Sequence, residues 1–273
     1  MRSMDSATKE VGHIKAESLT VAFGQEGTAI VAIENLTFEI QPREFVCFLG
    51  TSGCGKSTIL NSIAGFIVPT SGSLSMDGVE VSQPDPARGI VFQQYALFPW
   101  LTVAQNIEFG PRMRSLGSRA RRELVQGYVE MVGLQGFERN YPDTLSGGMQ
   151  QRVAIARALA NDPSVLLMDE PFGSLDAQTR SMMQELLLEI WQKSHKTVVF
   201  VTHDVDEAVF LADRILILTA RPGRVKKEMA IVLPRPRSYR VTSSPEYARL
   251  KGDVVELIRQ ETLKTSLTRR TAQ

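Results

Sequence analysis

The chain has 273 residues, 43% of them hydrophobic, and a formal net charge of +1 at pH 7. This is enough for one large buried core or two smaller ones, and the near-zero charge excludes a general electrostatic attraction to nucleic acid. The longest apolar runs, Val198–Val201 and Ile215–Leu218 among them, have the length of strands and are much shorter than a membrane span.

The first residues and the cysteines indicate the compartment. Residues 1–17 mix charged and small side chains and lack the apolar segment of a secretory signal. A disulfide between Cys47 and Cys54 would constrain the glycine-rich loop that contains Cys54, so we expect two free thiols in a reducing environment. These features predict a cytoplasmic protein that acts at a membrane only by binding a partner that spans it.

The first strands are predicted after a polar, poorly ordered lead-in of residues 1–14. Ser18–Phe23 and Leu36–Ile40 have the composition and alternation of strands. Phe23 stands just before a turn, where an aromatic ring either stacks on a nucleobase or closes the core at the end of a strand. The local pattern alone favours the second interpretation.

A glycine-rich loop follows, between the apolar run Phe45–Leu49 and a predicted helix that contains Ile59–Ala64. The loop fits the pattern G-x-x-x-x-G-K-[ST] in its usual strand–loop–helix setting. Such a loop directs backbone N–H groups and the positive end of a helix dipole at phosphate, while its lysine reaches the β- and γ-phosphates and its serine hydroxyl binds Mg²⁺. A plain glycine turn would not need the whole pattern. The predicted nucleoside triphosphate site consists of Gly50, Thr51, Ser52, Gly53, Cys54, Gly55, Lys56, Ser57 and Thr58.

The middle of the chain changes character. Short strands are predicted over Ser73–Met76, Val79–Val81 and Gly89–Phe92. Residues 95–158 form a predicted insertion, mostly helical, with helical spacing over Val103–Phe109 and Ala120–Val132. We expect its basic residues to form a solvated helix face: Arg112, Arg114, Arg119, Arg121 and Arg122.

The second half alternates helices and apolar strands. Predicted helices cover residues 145–161, 179–193 and 204–211, and predicted strands cover 165–168, 196–202 and 215–218. This alternation predicts an α/β fold with a largely parallel sheet that is covered on both faces. Pro245–Thr262 is a further predicted helix, followed by a frayed polar end.

Two acids follow the strand Val165–Met168. Asp169 is placed to hold Mg²⁺ for the phosphate loop, and Glu170 to orient or deprotonate the attacking water. The alternative is that the pair caps a helix. Ser146, Gly147 and Gly148 lie at the start of another helix, where unpaired N–H groups attract anions.

The chain strongly resembles the ATPase subunit of ABC transporters, over about residues 15–235. Six elements occur in the family's order: Gly50–Thr58, Gln93, the signature Leu145–Gln150, Val165–Glu170, Ser174–Asp176 and His203. The resemblance implies a RecA-like P-loop NTPase core with an antiparallel β subdomain, the inserted helical subdomain, and a C-terminal helical tail at 236–273. It also implies ATP and Mg²⁺ as ligands.

The resemblance assigns roles to residues that patterns alone leave open. Phe23 matches the aromatic that stacks on adenine, although tyrosine is commoner there. Gln93 matches a glutamine that touches Mg²⁺ and the attacking water. His203 matches a histidine that contacts the γ-phosphate. In the family, the signature residues Ser146, Gly147, Gly148 and Gln150 bind ATP held by a second copy, and Asp176 crosses the seam of that dimer.

Local segments around residues 172–180, 201–209 and 219–225 resemble the nitrate, sulfonate and taurine importer branch. This implies a multi-span permease, a second copy of the chain and, indirectly, an extracytoplasmic substrate-binding protein as partners, with no nucleic acid, at the cytoplasmic face of the inner membrane. The loop from Gln93 to Leu101 is expected to receive the permease. We expect a solvated basic face, rather than lipid contact, from Arg221, Arg224, Lys226, Lys227, Arg235, Arg237 and Arg240.

Two alternatives remain. A soluble ABC-type ATPase of DNA repair or translation would share the nucleotide site, but such proteins usually have long coiled-coil insertions or two cassettes. A small-molecule kinase would not account for Leu145–Gln150. A co-purifying membrane partner, nucleic acid or ribosome separates these classes.

Overall fold

The computed structural model describes residues 11–25 and 28–271. Residues 1–10 of the predicted lead-in lie outside the described residues. The strands are β1 Ile14–Phe23, β2 Ile30–Ile40, β3 Phe45–Leu49, β4 Ser71–Met76, β5 Val79–Glu80, β6 Arg88–Val91, β7 Val165–Asp169, β8 Thr197–Thr202, β9 Arg214–Leu218 and β10 Val225–Ala230. The helices are α1 Lys56–Ala64, α2 Val103–Met113, α3 Ser118–Met131, α4 Gly147–Leu159, α5 Ala177–Ser194, α6 Val205–Leu211 and α7 Pro245–Thr271, with 3-10 turns at Pro142–Thr144 and Tyr239–Ser243.

Six strands form the central sheet in the order β10-β9-β3-β8-β7-β6. β3 pairs in parallel with β8 and β9, β7 pairs in parallel with β6 and β8, and β10 is an antiparallel edge. The predicted largely parallel sheet is therefore confirmed. Register places Leu49 beside Thr202, and Asp169 beside Val201. The residues that follow β3, β7 and β8 consequently meet at one edge of the sheet.

β3 is buried throughout, because this sheet is covered on both faces. Phe45, Cys47 and Leu49 belong to one apolar cluster, together with residues of α4, α5 and α6. Val46 and Phe48 belong to a second cluster, which contains residues of α1, β1 and β2. The alternation of side chains along a strand thus divides the core into two layers.

A second sheet of four strands, in the order β2-β1-β4-β5, is antiparallel and confirms the antiparallel β subdomain. β1 begins before the predicted Ser18. The backbone N–H groups of Gly12 and His13 donate to the Asp77 carboxylate, at 2.9 and 3.0 Å. These bonds order the end of the predicted lead-in, which is therefore not poorly ordered at residues 11–14.

Helices α2, α3 and α4 occupy the predicted insertion, and a capping box of Thr102 and Gln105 begins α2. Buried Asn106 fixes the loop before that helix: its amide nitrogen donates to the carbonyl oxygens of Phe98, Leu101 and Thr102. Among the predicted solvated arginines, Arg121 is only half-buried and pairs with Glu108; the other four are exposed.

The basic stretch near the C-terminus is not a solvated face throughout, which corrects that expectation. Arg237 is 6% exposed and donates to the backbone carbonyls of Phe210 and Ala212. Arg235 pairs with Asp213 and lies over the Trp191 ring. Within the described residues, no helix is long and apolar enough to cross a membrane.

Candidate nucleotide site

The phosphate loop connects β3 to α1, and its lysine side chain bonds back to the carbonyls at the start of the loop. Gly55, immediately before α1, has φ of 101°, a conformation that favours glycine, and a Cβ there would lie 2.9 Å from the Ala32 carbonyl oxygen. Lys56 is 5% exposed, and its ammonium donates to the carbonyls of Gly50 and Thr51 at 3.0 and 3.2 Å. The predicted lysine therefore lies across the loop, at the start of a helix whose N–H groups favour anions.

The predicted metal ligands lie together. The Ser57 hydroxyl donates to Asp169 Oδ1 at 3.1 Å, since α1 and the end of β7 meet at the same sheet edge. Burial raises the pKa of Asp169; the Ser57 hydrogen bond opposes this, and the nearby Glu170 charge adds to it. A hydroxyl and a carboxylate are hard oxygen ligands of the kind Mg²⁺ takes alongside substrate phosphates, so this pair fits the metal.

Glu170 lies between two of the other predicted site residues. Its Oε2 is 2.9 Å from Nδ1 of His203, and its Oε1 is 3.5 Å from the Lys56 ammonium. The backbone of Glu170 has φ of 42°, and its N–H donates to the Val201 carbonyl at 2.9 Å. A left-handed conformation at a non-glycine residue is uncommon and costs energy, and it turns this carboxylate towards the phosphate loop.

A cleft of about 250 Å³ lies above these residues. Phe23, Ile30 and Ala32 form one side of it, and Phe23 is 47% exposed, as an unstacked ring at a ligand site would be. Arg221, in the segment 219–225 that resembles the importer branch, also lines the cleft, and no sequence pattern assigns it to the nucleotide. Gln93, which follows β6, is exposed and does not line this cleft.

The signature residues lie elsewhere in the chain, at the start of α4. Ser146 caps the helix by accepting from the Met149 N–H at 3.4 Å. Gly148 packs so closely on α5 that a Cβ would lie 2.7 Å from Thr179 Cγ2, so any other residue here would force Thr179 to shift. Among the described residues that line the phosphate-loop cleft, none belongs to the signature.

Two further predicted residues have local partners beside the signature. The Gln150 amide donates to the backbone carbonyls of Pro142 and Leu145, at 2.9 and 3.2 Å. Asp176 caps α5 by accepting from the Thr179 N–H at 3.0 Å, and this backbone hydrogen bond lowers its pKa. Their assigned contacts with a second copy's nucleotide remain predictions.

A buried acid that the sequence did not predict as a site residue is hydrogen-bonded to the residue before His203. Glu207, 3% exposed, accepts from the Thr202 hydroxyl at 2.6 Å, and Thr202 directly precedes His203. Burial, the largest cause, raises the pKa of Glu207 to about 7. The sequence offers little to distinguish it, because Asp206 beside it is also acidic and lies in the same first helical turn.

Proteins of known family that resemble this chain are ATP-binding proteins, in agreement with a nucleotide site. The family model described as ABC transporter matches residues 33–173. A nitrate import ATP-binding protein, NrtD of Synechocystis sp., is 45% identical over 260 residues, covering 93% of this chain and 98% of that protein. A taurine import ATP-binding protein, TauB of Burkholderia pseudomallei, is 45% identical over 90% of this chain and 97% of its own. The dimeric structure of a post-hydrolysis state of the ATP-binding cassette MJ0796, bound to ADP and Pi, superimposes with a TM-score of 0.71 at 35% identity, covering 81% of this chain and 100% of that one.

Proposed function

We propose, from the membership of this chain in the ABC transporter family and its branch of import ATP-binding proteins, that it powers import of a small molecule. The small molecule is of the nitrate, sulfonate or taurine type. Members of this family are ATPases coupled to transport, and this chain is one. The names of relatives that import nitrate, taurine and aliphatic sulfonates support the ligand class. A separate permease and an extracytoplasmic binding protein would complete the transporter, with this subunit bound peripherally at the cytoplasmic face.

The contacts of Glu170 with Lys56 and His203 are the observation on which the catalytic proposal depends. Glu170 accepts a proton from the water that attacks the γ-phosphate, and Lys56 holds the β- and γ-phosphates. His203 holds the Glu170 carboxylate in place and reaches the γ-phosphate. Mg²⁺, when bound by Ser57 and Asp169, would neutralise charge on the phosphates.

A second copy supplies the missing side of the site in this proposal. The cleft is open towards solvent, and the helix start at Ser146 and Gly148, of the kind that attracts anions, does not line it among the described residues. In a two-fold dimer, the signature of each copy would close the nucleotide of the other. The MJ0796 cassette, of similar fold, is described as dimeric.

The permease would bind between the sheet edge at β6 and the helical insertion. A cleft of about 410 Å³ lies there, lined by Phe98, Phe109 and Arg157 among others, and Trp100 beside it is 70% exposed. Such apolar patches mark interfaces. In reconstituted vesicles, Phe98→Glu, at a residue that lines this cleft, should abolish ATP-driven transport and spare ATP binding. Val232→Glu, at an exposed site outside the cleft, should leave transport intact. Normal transport by the first variant would exclude this surface.

The catalytic proposal is tested by two adjacent substitutions. Glu170→Gln keeps size and hydrogen bonding but removes the base, so ATP binding should persist while turnover falls by about 10²–10⁴. Because bound ATP joins the two copies, this variant should accumulate as an ATP-dependent dimer in size-exclusion chromatography with Mg-ATP. Asp169→Asn should bind Mg-ATP weakly and stay monomeric. Near-native hydrolysis by Glu170→Gln would remove the catalytic role, and an inactive protein that never dimerises would contradict the shared site.

A further inference from the structure

The turn between β9 and β10 forms part of the wall of the nucleotide cleft. β9 runs beside β3, with Ile217 opposite Leu49, so this turn and the phosphate loop leave the sheet at the same edge. Arg221, within the turn, is exposed and lines the cleft together with Ser52, Gly53 and Lys56. The turn lies outside the six ordered family elements, and the resemblance of residues 219–225 to the importer branch assigns it no role at the nucleotide.

The turn is held firmly against the phosphate loop. The Gly223 N–H donates to the Ala32 carbonyl at 2.9 Å, and its own carbonyl accepts from the Glu34 N–H at 3.1 Å. Gly223 also packs so closely on the phosphate loop that a Cβ would lie 2.2 Å from the Cys54 carbonyl oxygen. The backbone two residues after Arg221 is thus fixed on the loop that would bind phosphate.

The other side of Arg221 is anchored by α7. The Ala220 N–H donates to Glu261 Oε2 at 3.4 Å, and Glu261 pairs with Lys226 at 2.9 Å. Within the turn, the Thr219 hydroxyl donates to the Pro222 carbonyl at 2.9 Å and accepts from the Arg224 N–H at 3.0 Å. Arg221 therefore projects from a backbone that is fixed on both sides.

The charges in the cleft indicate what Arg221 meets there. Lys56 is already engaged with two carbonyls and with Glu170. Arg224, in the same turn, pairs with Glu34. Arg221 forms no ion pair or side-chain hydrogen bond with any residue that the structure describes. An arginine without a partner, held at the mouth of a phosphate site, matches the bidentate chemistry by which guanidinium binds phosphate.

We propose that Arg221 is a nucleotide-binding residue whose guanidinium contacts the phosphate chain of a bound nucleoside di- or triphosphate. The inference rests on the proposed function, since it takes ATP as the ligand of this cleft. It adds a protein cation from the β9–β10 turn to Lys56 of the phosphate loop. Phosphate, rather than the base, is the partner because Gly223 contacts the phosphate loop itself at Cys54.

The test is calorimetric titration of the full-length chain with Mg-ATP and Mg-ADP. Arg221→Ala and Arg221→Gln should both weaken binding by about tenfold, the low end for a charged hydrogen bond, because the guanidinium is exposed. Arg221→Lys, which keeps the charge, should lose less. The matched control Arg224→Ala removes a cation from the same turn but outside the cleft, and it should stay within about twofold of the native affinity.

Other outcomes are equally definite. Native affinity in Arg221→Ala or in Arg221→Gln overturns the phosphate contact, and so does an equal loss in Arg224→Ala, which would indicate distortion of the turn. A loss that differs between ATP and GTP would place the guanidinium on the base and overturn the assignment. If the native chain binds no nucleotide, the proposed function has failed instead. Matching thermal unfolding of all four variants and the native chain excludes misfolding as the cause.

Discussion

Replacing Glu207 by glutamine should make the protein more stable at alkaline pH and remove one source of pH dependence. Glu207 is in α6, almost wholly buried, and accepts a hydrogen bond from the Thr202 hydroxyl. Its only nearby cation in an ion pair among the described residues is Arg180, whose Nε lies 3.9 Å away. Ionising this carboxyl therefore costs more energy in the folded protein than in the unfolded chain.

The magnitude follows from the two pKa values. Burial raises the pKa of Glu207 from 4.5 to about 7 in the folded protein, which corresponds to about 3 kcal/mol. The folded state keeps this proton where the unfolded state has lost it. The native protein therefore keeps its full free energy of unfolding below pH 4.5, where Glu207 is protonated in both states, and loses about 3 kcal/mol of it as the pH rises to about 7. Glutamine is neutral and its amide oxygen can still accept from Thr202, so the variant should not show this loss.

The measurement is urea-induced unfolding of the nucleotide-free protein at pH 5 and pH 8. At pH 8, Glu207→Gln should exceed the native free energy of unfolding by up to about 3 kcal/mol, and at pH 5 the difference should shrink to less than about 1 kcal/mol. Glu189→Gln removes an exposed acid from α5 and serves as the matched control, with no change expected at either pH. A difference between Glu207→Gln and the native protein that is the same at both pH values would refute the reasoning.

Three further predictions concern the nucleotide site. Asp169→Asn should weaken ATP binding in Mg²⁺ but not in EDTA, because the lost charge faces the metal; equal weakening in both would exclude it as a ligand. Gly223→Ala should lower both ATP affinity and the melting temperature, because the new Cβ would lie 2.2 Å from the Cys54 carbonyl oxygen. Its control, Gly252→Ala on α7, meets nothing within 4 Å and should gain up to about 1 kcal/mol of helix stability. The total ATPase rate should rise more than linearly with protein concentration, since each site needs Ser146 of the other copy; a total rate strictly proportional to concentration, from a proven monomer, would contradict this.

Much of the site could be predicted because its residues follow buried parallel strands. Once β3, β7 and β8 are adjacent and parallel, the residues after each strand must meet at one edge, and the phosphate loop, Glu170 and His203 do so. The contact between Ser57 and Asp169 has the same origin, since Ser57 lies in the first turn of the helix after β3 and Asp169 ends β7. Motif order and strand polarity together determine this part of the geometry.

The C-terminal part could not be predicted, because composition does not distinguish a solvated arginine from one that binds backbone carbonyls. Arg237 and Arg221 are both arginines beside prolines in a basic stretch, yet one is buried under α6 and the other faces the nucleotide cleft. β10 has two adjacent lysines and a glutamate at its centre and no alternation of apolar and polar residues, so only its pairing with β9 identifies it as a strand. Long-range contacts decide these cases, and a single sequence does not reveal them.

Helix α4 provides a rigid route between the proposed permease surface and the signature. At its far end, the Arg157 guanidinium donates to the Tyr95 and Ala96 carbonyls at 3.0 and 2.7 Å, and it lies 5.4 Å from the Phe98 ring centre. At its start, a Cβ on Gly147 would be 3.4 Å from the Tyr95 hydroxyl, which bonds to Ser174 at 2.6 Å. One short loop therefore contacts both ends of a helix, over about 15 Å. Because a packed helix moves as a unit, we expect a partner that displaces this loop to displace the signature as well, whether or not Gln93 takes part.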